Sequence, residues 1–129
     1  MTENDIARLI VDAAYHVHTR LGPGLLESVH EAVLAYDIEK LGLRVQRQVP
    51  MPTAYDGIRF DLGFRADRLV EGRVIVELTS VQDAHPVHKK QRLTYVKLAD
   101  KRLGLLIGFG ARLVKDGITR VVNRLPEAA

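Results

Sequence analysis

The spacing of the apolar residues changes near Gly42, and this change restricts the chain to folds that combine helices with a sheet. Before Gly42, apolar residues recur at the spacing of one helical face, at Leu9, Ile10, Ala13, Ala14 and Val17. A second helix is predicted after Gly22-Pro23-Gly24 and ends at Gly42. Its predicted buried face consists of Leu26, Val29, Val33 and Tyr36.

After residue 42 the pattern is typical of strands. Alternating residues predict a strand at 43–49, which ends or lies at a sheet edge at Pro50-Met51-Pro52. Turn signals at Asp56-Gly57 and Glu71-Gly72 separate strands at 53–55, 58–70 and 73–80. A third helix at 86–98 precedes an apolar strand at 103–109 and a last strand at 118–122. The predicted order is α-α-β-β-β-β-α-β-β, an α/β class.

Composition limits the range of functions. A length of 129 residues with 47% hydrophobic residues predicts a single domain that spans 1–129. The chain has no cysteine, which excludes a disulfide framework, thiolate metal sites and a cysteine nucleophile. No apolar run approaches the roughly 18 residues of a membrane span, so we expect a cytoplasmic protein without membrane contact. The net charge of +3 permits nucleic-acid binding but fits an ordinary solvated surface equally well.

Glu77 lies inside an apolar strand, Val74-Ile75-Val76-Glu77-Leu78, where an isolated carboxylate is costly unless it is paired or bound to a metal. Whether Asp67 lies beside it depends on the hairpin between them. A two-residue loop at Glu71-Gly72 places positions 67 and 77 on opposite faces. A bulge or a three-residue loop, for instance 70–72, places Asp67, Glu77 and Thr79 on one face.

In the second register, the two carboxylates and the carbonyl of Leu78 offer the hard oxygen ligands that suit Mg²⁺ or Mn²⁺. The alternative is that the two acids pair with arginines such as Arg65 or Arg47, because structural ion pairs also place acids in strands.

Several segments occur in the order found in a known family: 21–31 (LGPGLLESVHE), Arg65-Ala66-Asp67, 74–78, Pro86-Val87-His88 and 91–95 (QRLTY). Together they resemble the GxxExxY protein family, which looks like a small branch of the PD-(D/E)xK nuclease superfamily. The resemblance extends from about Ile6 to Val122. It implies a restriction-endonuclease-like core, in which a mixed central β-sheet is flanked by helices.

The resemblance also implies roles for individual residues. Asp67 and Glu77 become metal ligands, and Glu27 becomes a helical acid at the edge of the site. Gln91 and Tyr95 match an element that some superfamily nucleases use beside the metal. Their i, i+4 spacing puts them on one helical face, although ordinary packing of a tyrosine explains it too.

Two positions depart from the family pattern. Gly24, Glu27 and His30 fall on the motif that names the family, and His30 replaces its tyrosine. Thr79 stands where the active site has lysine, and a neutral hydroxyl cannot supply the missing charge. Loss of one preorganised electrostatic group typically costs about 10²- to 10³-fold in rate.

Other side chains offer substitutes. Lys89 or Lys90 could replace the missing cation, although adjacent lysines on a helix are commonly a solvated face. His85 and His88 could ligate Zn, Fe or Ni with one of the acids. His88 also matches a position that the family commonly fills with histidine.

Two functions follow from these observations. The first is a nuclease-fold protein with a degenerate site, catalytically impaired, that acts as a binding or self-assembling module and forms a homo-oligomer. The second is a Mg²⁺-dependent phosphodiesterase that acts on DNA or RNA. Thr79 favours the first.

Overall fold

Two N-terminal helices precede a five-stranded mixed sheet. The computed structural model describes residues 1–22, 26–79, 90, 94, 97, 99–110 and 114–123. In chain order the elements are α1 (Glu3–Leu21), α2 (Glu27–Lys40), β1 (Val45–Tyr55), β2 (Ile58–Val70), β3 (Val74–Thr79), β4 (Leu103–Gly108), a 3-10 turn (Val114–Gly117) and β5 (Ile118–Val122). None of the described helices is long and apolar enough to cross a membrane.

The strands lie in the order β1-β2-β3-β4-β5. β3 and β4 are parallel, and the other neighbouring pairs are antiparallel. A parallel pair requires a crossover connection, which here is the segment 80–102. Its described positions Lys90, Thr94 and Lys97 are helical, and the rest of the predicted helix at 86–98 lies outside the described residues. The predicted α/β class with a mixed sheet is confirmed.

α1 begins with a capping box, which explains why it starts before the first apolar residue of its pattern. The hydroxyl of Thr2 accepts a hydrogen bond from the N–H of Asp5 at 3.2 Å, and Asp5 accepts one from the N–H of Thr2 at 2.9 Å. Ile6, Ile10 and Val17 are buried on the face turned to the sheet. The predicted amphipathic pattern is therefore confirmed.

The predicted buried face of α2 is wrong. Leu26 and Tyr36 are 74% and 62% exposed, and the buried residues are instead His30, Leu34 and Ile38. α2 carries apolar residues on more than one side, so spacing alone cannot select the face that contacts the sheet. Packing against α1 and the strands makes that selection.

Pro50 and Pro52 do not end the first strand. β1 runs through both, so the strands predicted at 43–49 and 53–55 are one, and the described sheet has five strands instead of six. β1 is an edge strand, where a proline lacks only a hydrogen bond that the edge does not need. The pairing with β2 shifts between Pro52 and Thr53.

The core occupies both faces of the sheet. On one face, α1 and α2 cover side chains of the three inner strands, namely Val70, Val74, Val76, Leu78, Leu103, Leu105 and Ile107. A second, smaller cluster includes Leu69, Ile75 and Val121. Because strand residues alternate between faces, Ile75 lies opposite to Val74 and Val76. Glu77 follows Ile75 by two positions and shares its face.

Candidate active site

The β2–β3 hairpin has a three-residue loop, as the metal-site register requires. Val70 pairs with Val74, and the loop consists of residues 71–73. Glu71 and Gly72 both have positive φ, 55° and 64°, which produces the reversal. Of the two loop lengths that the sequence left open, the structure has the odd one, and the loop lies one residue later than the 70–72 example. The next pair, Arg68 with Val76, brings Asp67 alongside Glu77.

Asp67 and Glu77 are joined through main-chain N–H groups. The N–H of Asp67 donates to Glu77 Oε1 at 3.3 Å. The N–H of Leu78 donates to Asp67 Oδ2 at 3.0 Å. Glu77 is buried, whereas Asp67 is half-buried. The two predicted carboxylates therefore lie together on the sheet face opposite α1 and α2.

The sheet ladder is interrupted at Asp67 on both sides. Pairing between β2 and β3 ends at Arg68. On the other side, the register passes from Arg47 opposite Arg68 to Val49 opposite Ala66, and the intervening Gln48 has a φ of 48°. Side chains take over the contacts of the Asp67 main chain. Its N–H donates to Glu77, and its carbonyl accepts from Arg68 Nη1 at 2.7 Å.

Arg68, which is buried, connects the site to α2 through an ion pair with the half-buried Glu31. Its Nη2 lies 2.5 Å from Glu31 Oε1, and the Arg68 side chain is 4% exposed. Burial lowers the pKa of Arg68, the neighbouring charge of Arg47 acts in the same direction, and Glu31 opposes both. Residue patterns did not lead us to predict this pair. Alternation along β2 was the available signal, since it turns Arg68 to the helix side when Asp67 faces the site.

The arginine alternative does not hold for Asp67. No described ion pair joins Asp67 to Arg65 or Arg47. Arg65 Nη1 lies 3.5 Å from the carbonyl of Gln48 instead. Within the described residues, the contacts of the Asp67 carboxylate are to main-chain N–H and not to a cation.

Thr79 ends β3 two positions after Glu77, and its side chain lies outside the described part of the structure. Its partner across the parallel pair is Gly108, which has no side chain. Gly117 packs against that glycine so closely that a Cβ at 117 would lie 2.1 Å from the Gly108 oxygen. The β4 position opposite Thr79 therefore carries no cation.

His30, which the resemblance aligned with the tyrosine of the family motif, is a packing residue. It is 2% exposed, its Nε2 donates to the carbonyl of Gly22 at 2.9 Å, and its ring stacks on Phe109 with centroids 4.6 Å apart. His30 thus closes the turn between α1 and α2. The helical acid Glu27 is the first residue of α2, one turn before Glu31, and its side chain lies outside the described part of the structure.

Most of the remaining predicted site residues lie outside the described part of the chain, and Lys90 is the exception. Lys90 is exposed and helical. The positions outside the described residues are Gly24, His85, His88, Lys89, Gln91 and Tyr95. Their predicted roles stay predictions.

The donor set agrees with a hard divalent cation. Among the described residues, no group of three or more histidine or acidic side chains could hold a metal ion. Asp67 and Glu77 nevertheless supply two carboxylates that lie side by side on the neighbouring strands β2 and β3. Mg²⁺ is commonly held by one or two carboxylates, with waters and substrate phosphates completing its shell, so two acids fit this ion. A transition-metal site would need the histidines.

Comparison with known proteins supports a nuclease fold. A family model for the PD-(D/E)XK nuclease superfamily matches residues 4–121, which include nearly every element described above. Searches of curated proteins and of solved structures found no match. The mixed sheet with two carboxylates on adjacent strands agrees with a restriction-endonuclease-like fold. The chain belongs to the PD-(D/E)XK nuclease superfamily.

Proposed function

We propose that this chain is a GxxExxY-type, single-domain member of its superfamily with a degenerate active site. In this proposal it binds nucleic acid or assembles with itself and cleaves phosphodiesters poorly. The observation that carries the proposal is the position of Thr79 in β3, two residues after Glu77 and opposite Gly108. A neutral residue occupies the place where the reaction needs a cation.

The retained acids and the lost lysine have separable consequences. Mg²⁺ or Mn²⁺ bound by Asp67 and Glu77 would hold a phosphate and lower the pKa of a water molecule. Without a cation at position 79, the charge that develops in the transition state lacks one preorganised partner. That loss corresponds to about 10²- to 10³-fold in rate, so binding survives while turnover falls.

Exposed arginines support nucleic-acid binding. Arg47, Arg59 and Arg65 are exposed on the β1–β2 ribbon, whose second strand continues into Asp67. Guanidinium groups bind phosphates in paired geometry, and such binding weakens as salt rises. We therefore expect nucleic-acid affinity that falls with added salt, measured by fluorescence anisotropy with labelled single- and double-stranded probes.

Self-assembly is supported by the outer face of α2. Leu26, Val29 and Tyr36 are exposed there, and several exposed apolar side chains on one helix favour an interface. Light scattering should give a mass above one chain, and Val29→Glu with Tyr36→Glu should restore the monomer. Tyr15→Glu, on the exposed part of α1, serves as control. A monomeric native chain would remove self-assembly from the proposal.

The second candidate is a Mg²⁺-dependent phosphodiesterase acting on DNA or RNA. The observation in its favour is the intact pair of acids, each oriented by a hydrogen bond from the other's strand. It requires a cation from elsewhere, such as Lys90, which is exposed, or Lys89.

One cleavage experiment separates the two candidates. Single- and double-stranded DNA and RNA are incubated with Mg²⁺ or Mn²⁺ and the native chain, Thr79→Lys, or Thr79→Lys with Glu77→Ala. The proposal expects an inert native chain, cleavage by Thr79→Lys, and loss of that cleavage in the double variant. Glu77-dependent cleavage by the native chain would establish the phosphodiesterase instead. No cleavage by any variant would refute the claim that only one charge is missing.

A further inference from the structure

We propose that Arg68, held by Glu31, is a positioning residue for Asp67. In this view the guanidinium fixes the Asp67 main chain, so that the Asp67 carboxylate stays beside Glu77. The metal readout below rests on the proposed function. The hydrogen-exchange readout does not.

The interrupted ladder leaves the Asp67 main chain without its usual restraint. At Asp67, β2 has no regular strand partner on either side. The pairing with β3 ends at Arg68, and Gln48 of β1 does not pair with Asp67. Strand pairing ordinarily determines where a strand residue points. At Asp67 that restraint comes from two charged side chains, Glu77 at the N–H and Arg68 at the carbonyl.

The guanidinium of Arg68 has the geometry to supply this restraint. Arg68 Nη1 donates to the Asp67 carbonyl at 2.7 Å, and Nη2 lies 2.5 Å from Glu31 Oε1. The planar fork of arginine can donate one hydrogen bond to the carbonyl and keep its charge against a neighbouring carboxylate in a fixed relation. A lysine ammonium on a flexible stem cannot hold both in that geometry. The contact therefore ties α2 to the main chain of Asp67.

The effect of the Glu31–Arg68 pair on the position of Asp67 can be tested separately from its effect on the stability of the fold. Arg68 is buried and Glu31 is half-buried, and within the described part of the chain neither Arg68 Nε nor Glu31 Oε1 has a hydrogen-bond partner of regular geometry, so the two side chains are held together by charge. Replacing both members of a buried ion pair by apolar residues is often neutral or stabilising. Glu31→Leu with Arg68→Met should therefore leave the fold stable. If the pair positions Asp67, the same variant loosens the site.

Arg73 offers a matched control. It lies in the loop of the same hairpin, pairs with Glu3 of α1 at 2.5 Å and donates to the carbonyl of Met1. It thus joins a helix to the hairpin as Arg68 does. None of its described contacts is to Asp67 or Glu77.

The decisive measurement is amide hydrogen exchange at Asp67 and Leu78, followed by NMR in the native chain and three variants. The N–H groups of these two residues make the hydrogen bonds that define the acid pair. We expect Arg68→Lys and the Glu31→Leu, Arg68→Met variant to exchange both amides at least about tenfold faster than the native chain, because the Asp67 main chain loses a restraint. The amides of Val70 and Val74, which pair in the ladder, should keep native exchange rates in these variants. Arg73→Lys should leave the exchange rates of all four amides unchanged.

A second readout is Mn²⁺ affinity by titration calorimetry. Loss of a group that orients a ligand typically weakens metal binding about 10- to 100-fold, which we expect for both Arg68 variants and not for Arg73→Lys. Native exchange rates at Asp67 and Leu78 in both Arg68 variants would overturn the positioning role. Faster exchange together with no Mn²⁺ binding by the native chain would support the positioning role and refute the metal site.

Discussion

Glu77 Oε1 accepts a hydrogen bond from the main-chain N–H of Asp67 at 3.3 Å, so each acid is held by the strand of the other. The reverse contact runs from Leu78, the residue after Glu77, to the Asp67 carboxylate at 3.0 Å. Such reciprocal contacts orient two acids toward one volume. Like charges at adjacent positions repel, and a divalent cation between them would offset that repulsion.

Glu77→Gln should weaken metal binding without weakening the fold. The amide keeps an oxygen that can accept from Asp67 but removes a charge from a residue that is 5% exposed. We expect Mn²⁺ affinity to fall at least about tenfold. The free energy of unfolding should stay level or rise, because burial of an ionised group is costly. Calorimetric titration and denaturant unfolding measure the two quantities.

The control for this substitution is Glu71→Gln in the same hairpin. Glu71 accepts from the N–H of Arg44 and has no described contact to Asp67 or Glu77. Its replacement should leave Mn²⁺ affinity unchanged. Equal affinities of the native chain and Glu77→Gln would contradict a metal role for Glu77.

Gly117→Ala should destabilise the strand pair beside the site. The added Cβ would meet the Gly108 oxygen at 2.1 Å, and that atom is main chain in β4, which cannot move without disturbing Thr79 across the ladder. We expect a loss of about 1–3 kcal/mol in unfolding free energy, as for other overpacked sites. Denaturant titration measures it.

Gly57→Asn is the comparison for Gly117→Ala. Gly57 has a φ of 71°, a Cβ added there would have no atom within 4 Å, and asparagine tolerates this conformation. Its unfolding free energy should change by about 0.5 kcal/mol or less. If both variants are equally stable, the close approach of Gly117 to Gly108 is not a constraint on the fold.

His30→Phe should retain the ring stack and lose the hydrogen bond. The Gly22 carbonyl would lack its 2.9 Å partner, whereas the contact with Phe109 would persist. An unsatisfied buried acceptor costs about 1–3 kcal/mol. His30→Ala removes the stack as well and should cost more, about 3–5 kcal/mol as for other large aromatic residues. A fully native stability for His30→Phe would show that the turn needs only the ring.

Asp5 should contribute to the acid sensitivity of the protein. Hydrogen bonds from the main chain and side chain of Thr2 hold the pKa of Asp5 below its usual value of 3.8. Because the folded pKa is depressed, this stabilisation is present above the unfolded pKa and is lost as pH falls through the folded value. Asp5→Asn and Thr2→Ala should both flatten the fall in melting temperature below about pH 4. An unchanged slope in both variants would rule out the contribution.

Much of the fold follows from local patterns. The face of α1, the apolar strands around Ile75 and Leu105 and the turn at Glu71-Gly72 were all accessible from residue spacing and turn residues. The loop length was not, and only the structure decided it. The same patterns failed for α2, because a helix with apolar residues on several sides has no unique buried face. At Pro50 the patterns left open whether the strand ends or lies at a sheet edge, because edge position depends on strand order, and the structure shows the edge.

Sequence alone determined the chemistry available at the site. Residue type and spacing identified two acids, Asp67 and Glu77, that could share one sheet face, and the resemblance to a nuclease family led to the proposal that Thr79 replaces a lysine. Tertiary structure decided how those groups are held. The Glu31–Arg68 pair joins residues 37 positions apart along the chain, at the point where the ladder leaves Asp67 unpaired. Such contacts depend on which helix packs on which strand, and no local pattern contains that information.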